Sequence, residues 1–503
     1  MRPLKLVLAL PLLFALSVSA ELRLPSLLSD HAVLQRDHPV RIWGWSNPQE
    51  KVTIRFHQQT LTTQADAIGA WEAWLNPEPA GGPYALTVQG DSSPATIERK
   101  DILMGDVWFA SGQSNMELPL EGFKNQPPPK DSDKEIAAAT QPQIRLLLQK
   151  RGTSTVPLDD INDTWTLCTP DTARHFSAIA YLFGKELVAH EHVPIGLIDA
   201  TWGGTPAHSW ISPASLATAN LTSVFLDAGN IARDQAHANQ IRAAQDREAA
   251  ALTAQGKPVP VFPHIPGDHQ GSWTPGSIFN AMIAPDMRFT IKGVIWYQGE
   301  SDSEPPRNPN YARVFSTLIS DWRSQWAQGN FPFLFVQISS YNAQGGWPEV
   351  RDAQRRTLAL SNTAMAVTLD VGESANVHPI DKQTVATRLA LAARSMVYGE
   401  KVEYISPSFR QATTEPGAMR VWFTHADGLT SRGQDVGGFE VAGDDHKFQT
   451  ATAKIEKIGD NETILVSSPH VVSPRFVRYD WQGYVTSYLY NAAGLPAGTF
   501  TSE

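Results

Sequence analysis

Between Lys100 and Glu400, short and continuously apolar runs alternate with amphipathic helical stretches, and this alternation limits the fold more than any other feature of the chain. The apolar runs are DVWFAS, PIGLIDATW, GVIWYQG, FPFLFVQIS and AMAVTLD; interleaved with them are AIAYLFGKELVAH, YARVFSTLISDWRSQW and QTVATRLALAARSMVY. Strands without polar alternation need cover on both faces, so the pattern predicts an α/β core with a mostly parallel sheet between helical layers. Outside the core the rhythm changes. VRIWGW, KVTIRF, WEAWL and YALTV before it, and VEYIS, MRVWFTH, FEVAG, TILVSS and VVSPRFVRYDW after it, are short strand-like runs separated by turn residues. They predict N-terminal and C-terminal β-sandwich-like regions. The expected units are 21–99, 100–400 and 401–503, with an insertion at about 221–273 made of a helix and a Pro-rich loop. A second irregular stretch, Pro119 to Pro142, follows the first strand of the core, and loops of that length at strand ends serve as binding walls or lids.

The chain opens with MRPLKLVLALPLLFALSVSA, in which Arg2 and Lys5 precede an apolar run from Leu6 to Leu16, and Val18 and Ala20 supply small residues for cleavage. The run is shorter than the roughly 20 apolar residues a spanning helix needs. Residues 1–20 therefore read as a signal peptide, and the protein as a bacterial periplasmic or secreted one, free of the membrane once cleaved. The single cysteine, Cys168, leaves no internal disulfide, which suits that setting. No Cys or His lies near it at metal-ligand spacing, and HEH at His190–His192 reads as a solvated helix end, so no metal is expected. A net charge of −10 argues against nucleic acid as a partner. It leaves the oligomeric state open.

In open parallel sheets, ligands bind beyond the carboxyl ends of the strands. Here each core strand runs into a polar or Gly-bearing group at that end: SGQSN, DATWGGT, QGESD, QISSYN and DVGESANVH. A hydrolytic nucleophile needs a serine at a strand-to-helix turn, a histidine to take its proton, and amide donors for an oxyanion. Ser114, His378 and the pairs Gly203/Gly204 and Gln298/Gly299 supply all three, with Gly112 freeing the backbone for the turn. Each residue also has a plainer role. Ser114 fits an N-cap with Glu117 closing a capping box; His378 before Pro379 fits a cap or a packed ring; the glycines fit a turn, and Gln298 fits a partner for buried backbone groups.

The residues GQSNM (112–116), WYQGES (296–301) and NVHP (376–379), in that order, resemble the blocks of the SGNH-hydrolase superfamily in its sialate O-acetylesterase-like branch. HAVLQRDHPVRIWGW, FNAMIAP, WPEVRDAQ, HPIDKQTVATRLALAA, RYDW and YNAAGLP are similar to that branch too, so the likeness covers nearly the whole chain after residue 20. It implies an SGNH-type three-layer α/β/α core and a serine carboxylic-ester hydrolase that removes acetyl groups from a sugar, without metal or cofactor. Carried onto this sequence, Ser114 is the nucleophile and His378 the general base. The oxyanion donors are the Ser114 N–H, Gly204 before Gly203, and the Gln298 side chain. The superfamily commonly has an aspartate three residues before the histidine, where this chain has Ala375. Candidates to orient His378 are then Glu300, Asn376, Glu373, Asp370 or Asp302, or a backbone carbonyl in a Ser-His dyad.

The implied substrate is an O-acetylated carbohydrate, either sialic acid or a plant polysaccharide such as xylan or xyloglucan. Candidate binding residues are Asn115, Trp202, Tyr297 and Arg351, the last facing a sialate carboxylate or else forming a structural ion pair. Trp108, Trp210 and Trp347 also lie near the rim, although most tryptophans serve the core. Two other classes compete: a glycoside hydrolase using Glu300 and Asp302, which leaves Ser114 and His378 without a role, and a non-catalytic carbohydrate-binding protein.

Overall fold

The computed structural model describes residues 21–92, 96–226, 228–259, 271–343 and 345–503; the expected signal segment lies outside them. The central layer contains β1 (Thr96–Gly112), β2 (Gln141–Leu148), β3 (Thr166–Cys168), β4 (Ile195–Thr201), β5 (Gly293–Tyr297), β6 (Phe333–Val336) and β7 (Thr363–Ala366), in the spatial order β7-β6-β5-β1-β4-β2-β3. Every neighbouring pair is parallel except β2 with the short edge strand β3. After β1 the chain fills one side of it with β2 and β4, then the other with β5, β6 and β7. β1 therefore sits at a topological switch point, where the adjoining loops diverge and leave a crevice.

The helices that matter to the site are α1 (Ser114–Glu117), α2 (Ala178–Glu191), α3 (Tyr311–Trp326), α4 (Trp347–Thr357) and α5 (Lys382–Met396). Successive residues of a strand point to opposite faces, and β1 uses both. Trp108 meets Phe183 of α2 edge-on at 5.0 Å, while Phe109 meets Trp322 of α3 at 5.8 Å on the other side. Under α3, Trp296, Phe315, Trp322 and Phe333 form an aromatic cluster in the main core. Helices thus cover the sheet on both faces, and the burial of β1, β4 and β5 explains why their sequences carry no polar alternation.

Two expectations change at the borders. The strand β1 runs through the expected boundary at 99/100: its first half pairs antiparallel with Gly81–Gly90, which pairs with Lys51–Phe56, so the N-terminal sheet continues into the central one. VEYIS is not a strand, because Glu403 turns its carboxylate onto the N–H groups of Tyr404 and Ile405, satisfying locally the donors a sheet would need. Beyond it, two four-stranded antiparallel sheets bury a shared apolar set that includes Val421, Ile464, Val466, Phe439, Val477 and Phe500. The insertion carries the helix Ala228–Ala254, and most of its Pro-rich part lies outside the described residues.

Candidate active site

The site begins where β1 ends. Gly112 has φ +135°, and a Cβ there would meet the Tyr297 carbonyl at 2.1 Å, so this position needs glycine both for its dihedral and for the close approach of β5. Gln113 donates its N–H to the same carbonyl and is the N-cap of α1, without a side-chain cap. Ser114 is therefore the first helical residue and not the cap, and Glu117 closes no capping box; its carboxylate bonds the Gly203 N–H and Arg151 instead. That leaves the Ser114 hydroxyl free to reach His378, whose Nε2 lies 2.8 Å from Oγ across 264 residues of sequence.

The His378 loop is held mainly by its own side chains. Asn376 Oδ1 accepts from the His378 N–H, Asn376 Nδ2 donates to the His378 carbonyl, and Glu373 accepts from the Ile380 N–H. These two residues brace the backbone and do not orient the ring. The ring's Nδ1 instead lies 2.8 Å from Oε1 of Gln126, on the loop after α1. None of the expected orienting carboxylates touches it. Glu300 accepts from Asn115, Asp370 is paired with Arg388, and Asp302, fully buried, accepts from the Ala207 N–H and the Gln298 amide.

Behind the Ser114–His378 pair lies a buried polar chain. Asn115 accepts from Lys382 Nζ at 2.6 Å and donates to Glu300 and to the Val377 carbonyl. Asn115 is thus a tie between α1, the QGES turn, the histidine loop and α5, and not a substrate contact. Burial raises the Glu300 carboxyl and pulls the Lys382 ammonium down to about 7. Burial, with the Lys382 charge behind it, pushes the His378 imidazole down to about 4. The ring is therefore neutral at pH 7, as a proton acceptor must be.

The expected oxyanion donors separate into two groups. The N–H groups of Ser114 and Gly204 have no hydrogen-bond partner among the described residues, and the WGG turn packs on the serine closely enough that a Cβ on Gly203 would meet Ser114 Cβ at 3.1 Å. The Gly203 N–H is taken by Glu117. Gln298 is fully buried: its Nε2 donates to Asp302 and the Thr205 carbonyl, and its Oε1 accepts from the Tyr311 hydroxyl. Its side chain points beneath the QGES turn and offers the serine nothing.

The remaining binding candidates fare similarly. Tyr297 is fully buried with its hydroxyl on Ser339, and Trp108, Trp210 and Trp347 belong to the core. Arg351, also fully buried, donates to the carbonyls of Ile338, Ser339, Gln482 and Gly483, so it is structural, and among the described residues it forms no ion pair, although the Asp480 charge acts on it. Trp202 alone of these stays part-exposed. At the far end of α1, a cleft of about 560 Å³ is lined by Glu117, Phe123, Arg151, His175, Asp199 and Thr201 among others, with neither Ser114 nor His378 in its lining. Gln126, Lys382, Arg151 and Phe123 are residues of the site that the sequence did not single out. Gln126 and Phe123 lie in the Pro119–Pro142 stretch taken as a binding wall or lid, the one signal that pointed their way, while Lys382 is the first residue of α5, four positions after His378.

The profile of the family described as "Carbohydrate esterase, sialic acid-specific acetylesterase" matches residues 248–395. A curated sialate O-acetylesterase from Pongo abelii is 31% identical over 78% of this chain and 75% of its own length. The one from Rattus norvegicus is 29% identical over 96% and 94%. The crystal structure of a carbohydrate acetylesterase from Xanthomonas citri aligns with TM-score 0.81 and 34% identity over 96% of this chain and 99% of that one.

Proposed function

The chain belongs to the sialate O-acetylesterase family, and from that premise we propose that Ser114 attacks the acetyl ester of a sugar while His378 manages the proton. The protein is a carbohydrate O-acetylesterase. The observation that carries the residue assignment is the 2.8 Å contact between Ser114 Oγ and His378 Nε2 at the carboxyl edge of β1. Nε2 takes the hydroxyl proton as Oγ adds to the acetyl carbon, and the N–H groups of Ser114 and Gly204 receive the oxyanion. The imidazolium then protonates the departing sugar oxygen, and water, deprotonated by His378, releases acetate from the serine. A glycosidase reading loses its support, since Asp302 is buried, Glu300 is part-buried, and both are committed to neighbours.

The sugar is assigned to the cleft lined by Glu117 of α1 and by Phe123, whose ring meets His378 at 5.4 Å; its volume is in the range usual for small-ligand sites. Its cations are already engaged, Arg151 by Glu117 and Lys150 by Asp163, and the His175 ring lies against Glu121. With these charges matched, the cleft complements a neutral acetylated sugar better than a sialate carboxylate. Acetate release from O-acetyl sialic acid and from acetylated neutral oligosaccharides, measured with the native enzyme and Ser114→Ala, tests both points. Ser114→Ala should lose about 10³-fold or more in kcat with unchanged Tm; a variant that keeps its rate ends the assignment.

Two coarser inferences go with this. The parallel sheet covered on both faces, with β1 at the switch point, supports an SGNH-type three-layer core, and the paired C-terminal sheets support a flanking sandwich. Residues 1–20 support export, and mass analysis of the protein recovered from its native host should find a start at Glu21; a chain retaining Met1 in the cytoplasm contradicts it.

A further inference from the structure

We propose that Gln126 is a positioning residue for His378, a neutral amide taking the place that an aspartate holds in a Ser-His-Asp triad. The inference rests on the assignment of Ser114 and His378 above. Position 375, three residues before the histidine, carries only an exposed methyl group, and among the described residues no carboxylate reaches the imidazole. With Gln126 Oε1 facing Nδ1 at 2.8 Å as acceptor, Nδ1 carries the proton and Nε2 is left bare to accept from the Ser114 hydroxyl 2.8 Å away. The amide therefore selects the tautomer the chemistry needs, which is the function of the third triad member.

The loop that presents Gln126 is built to hold it. Leu120 and Glu121 donate their N–H groups to Phe176 and Arg174, and Lys130 donates to the Ile380 carbonyl, which ties this loop to that of His378. Gly122 has φ +79°, and a Cβ there would meet Pro128 at 2.7 Å. Pro127, Pro128 and Pro129 restrict the backbone just past the glutamine. Phe123 of the same loop sets its ring edge-on to the imidazole at 5.4 Å. One loop thus supplies both a wall and an acceptor.

An uncharged acceptor orients the ring but adds no charge to stabilise the imidazolium, and this makes the role testable by pH. The charged groups on the surrounding elements are Lys382 and Asp381 at the start of α5, Glu373 on the histidine loop, Glu300 behind Asn115, Glu117 with Arg151 beside α1, and Glu121 and Lys124 on the Gln126 loop. All are unchanged in Gln126→Glu, whose carboxylate accepts from the same nitrogen. Q126A should lower kcat about tenfold or more with KM little changed and Tm preserved. Q126E should stay active at pH 8 with the acid limb of kcat/KM moved to higher pH. The inference is overturned if Q126A stays within about twofold of the native kcat while Ser114→Ala is inert, or if Q126E leaves the acid limb in place. If Ser114→Ala also releases acetate, the assignment of Ser114 and His378 itself fails, and Gln126 with it.

Discussion

At the scale of single residues, the state of His378 is set by what surrounds it more than by its own chemistry. An unperturbed histidine titrates near 6.5, whereas burial and the Lys382 ammonium push this one down to about 4. Under the proposed assignment the neutral form accepts the serine proton, so activity should persist to pH values where an ordinary histidine is already charged, and fall only as pH approaches about 4. Lys382→Met keeps the bulk and removes the charge, so the pH–rate profile should show its acid limb displaced upward; an unmoved limb argues that Lys382 does not act on the imidazole. Ser114 and His378, which the structure brings within 2.8 Å of each other, stood out as candidates because motif and chemistry coincide in short stretches. Gln126 was not, since an orienting group is defined by reach in space and its loop has no periodicity to read.

At the scale of elements, the site depends on how the ends of β1 and β5 are joined. Gln113 Oε1 accepts from the N–H groups of Gly299 and Ser301, pinning the QGES turn to the start of α1. Gln113→Ala should leave these donors unpaired and destabilise the protein by about 2 kcal/mol or more, read as a lower midpoint in urea; a midpoint within error of the native value would mean the turn holds without this tie. The same junction explains why Gln298 and Tyr297 were misread as site residues. Both sit at a strand end that does face the rim, but Tyr297 points its hydroxyl into Ser339, and at Gly299, with φ +155°, the chain turns and leaves the Gln298 amide under Tyr311. Which way a side chain leaves the last residues of a strand follows from the turn, and no pattern in the strand encodes it.

At the scale of the molecule, Arg351 links parts that sequence reading kept separate. From α4 it donates to Ile338 and Ser339 just past β6 and to Gln482 and Gly483 of the C-terminal region, while Tyr341 donates its N–H to Gly483. Bonds from a charged donor are worth more than neutral ones, so Arg351→Met should cost at least about 3 kcal/mol and make the segment around Gln482 an early site of limited proteolysis. Cleavage there at the native rate would show that the attachment lies elsewhere. In the N-terminal region, β1 continues the sheet through the expected boundary.

The sequence by itself determined the mixed α/β class of the core, the helices α2, α3 and α5 to within a few residues, and Ser114 and His378 as candidates, because burial on both faces and the demands of a strand-to-helix turn act over short stretches of chain. Only the tertiary structure decided which nitrogen of His378 faces which partner, that Asn115, Lys382 and Glu300 form one buried chain, and that the orienting group is an amide from a proline-rich loop. Those contacts join positions up to 267 residues apart, and hydrogen-bond geometry at about 3 Å is fixed only once packing has brought the segments together.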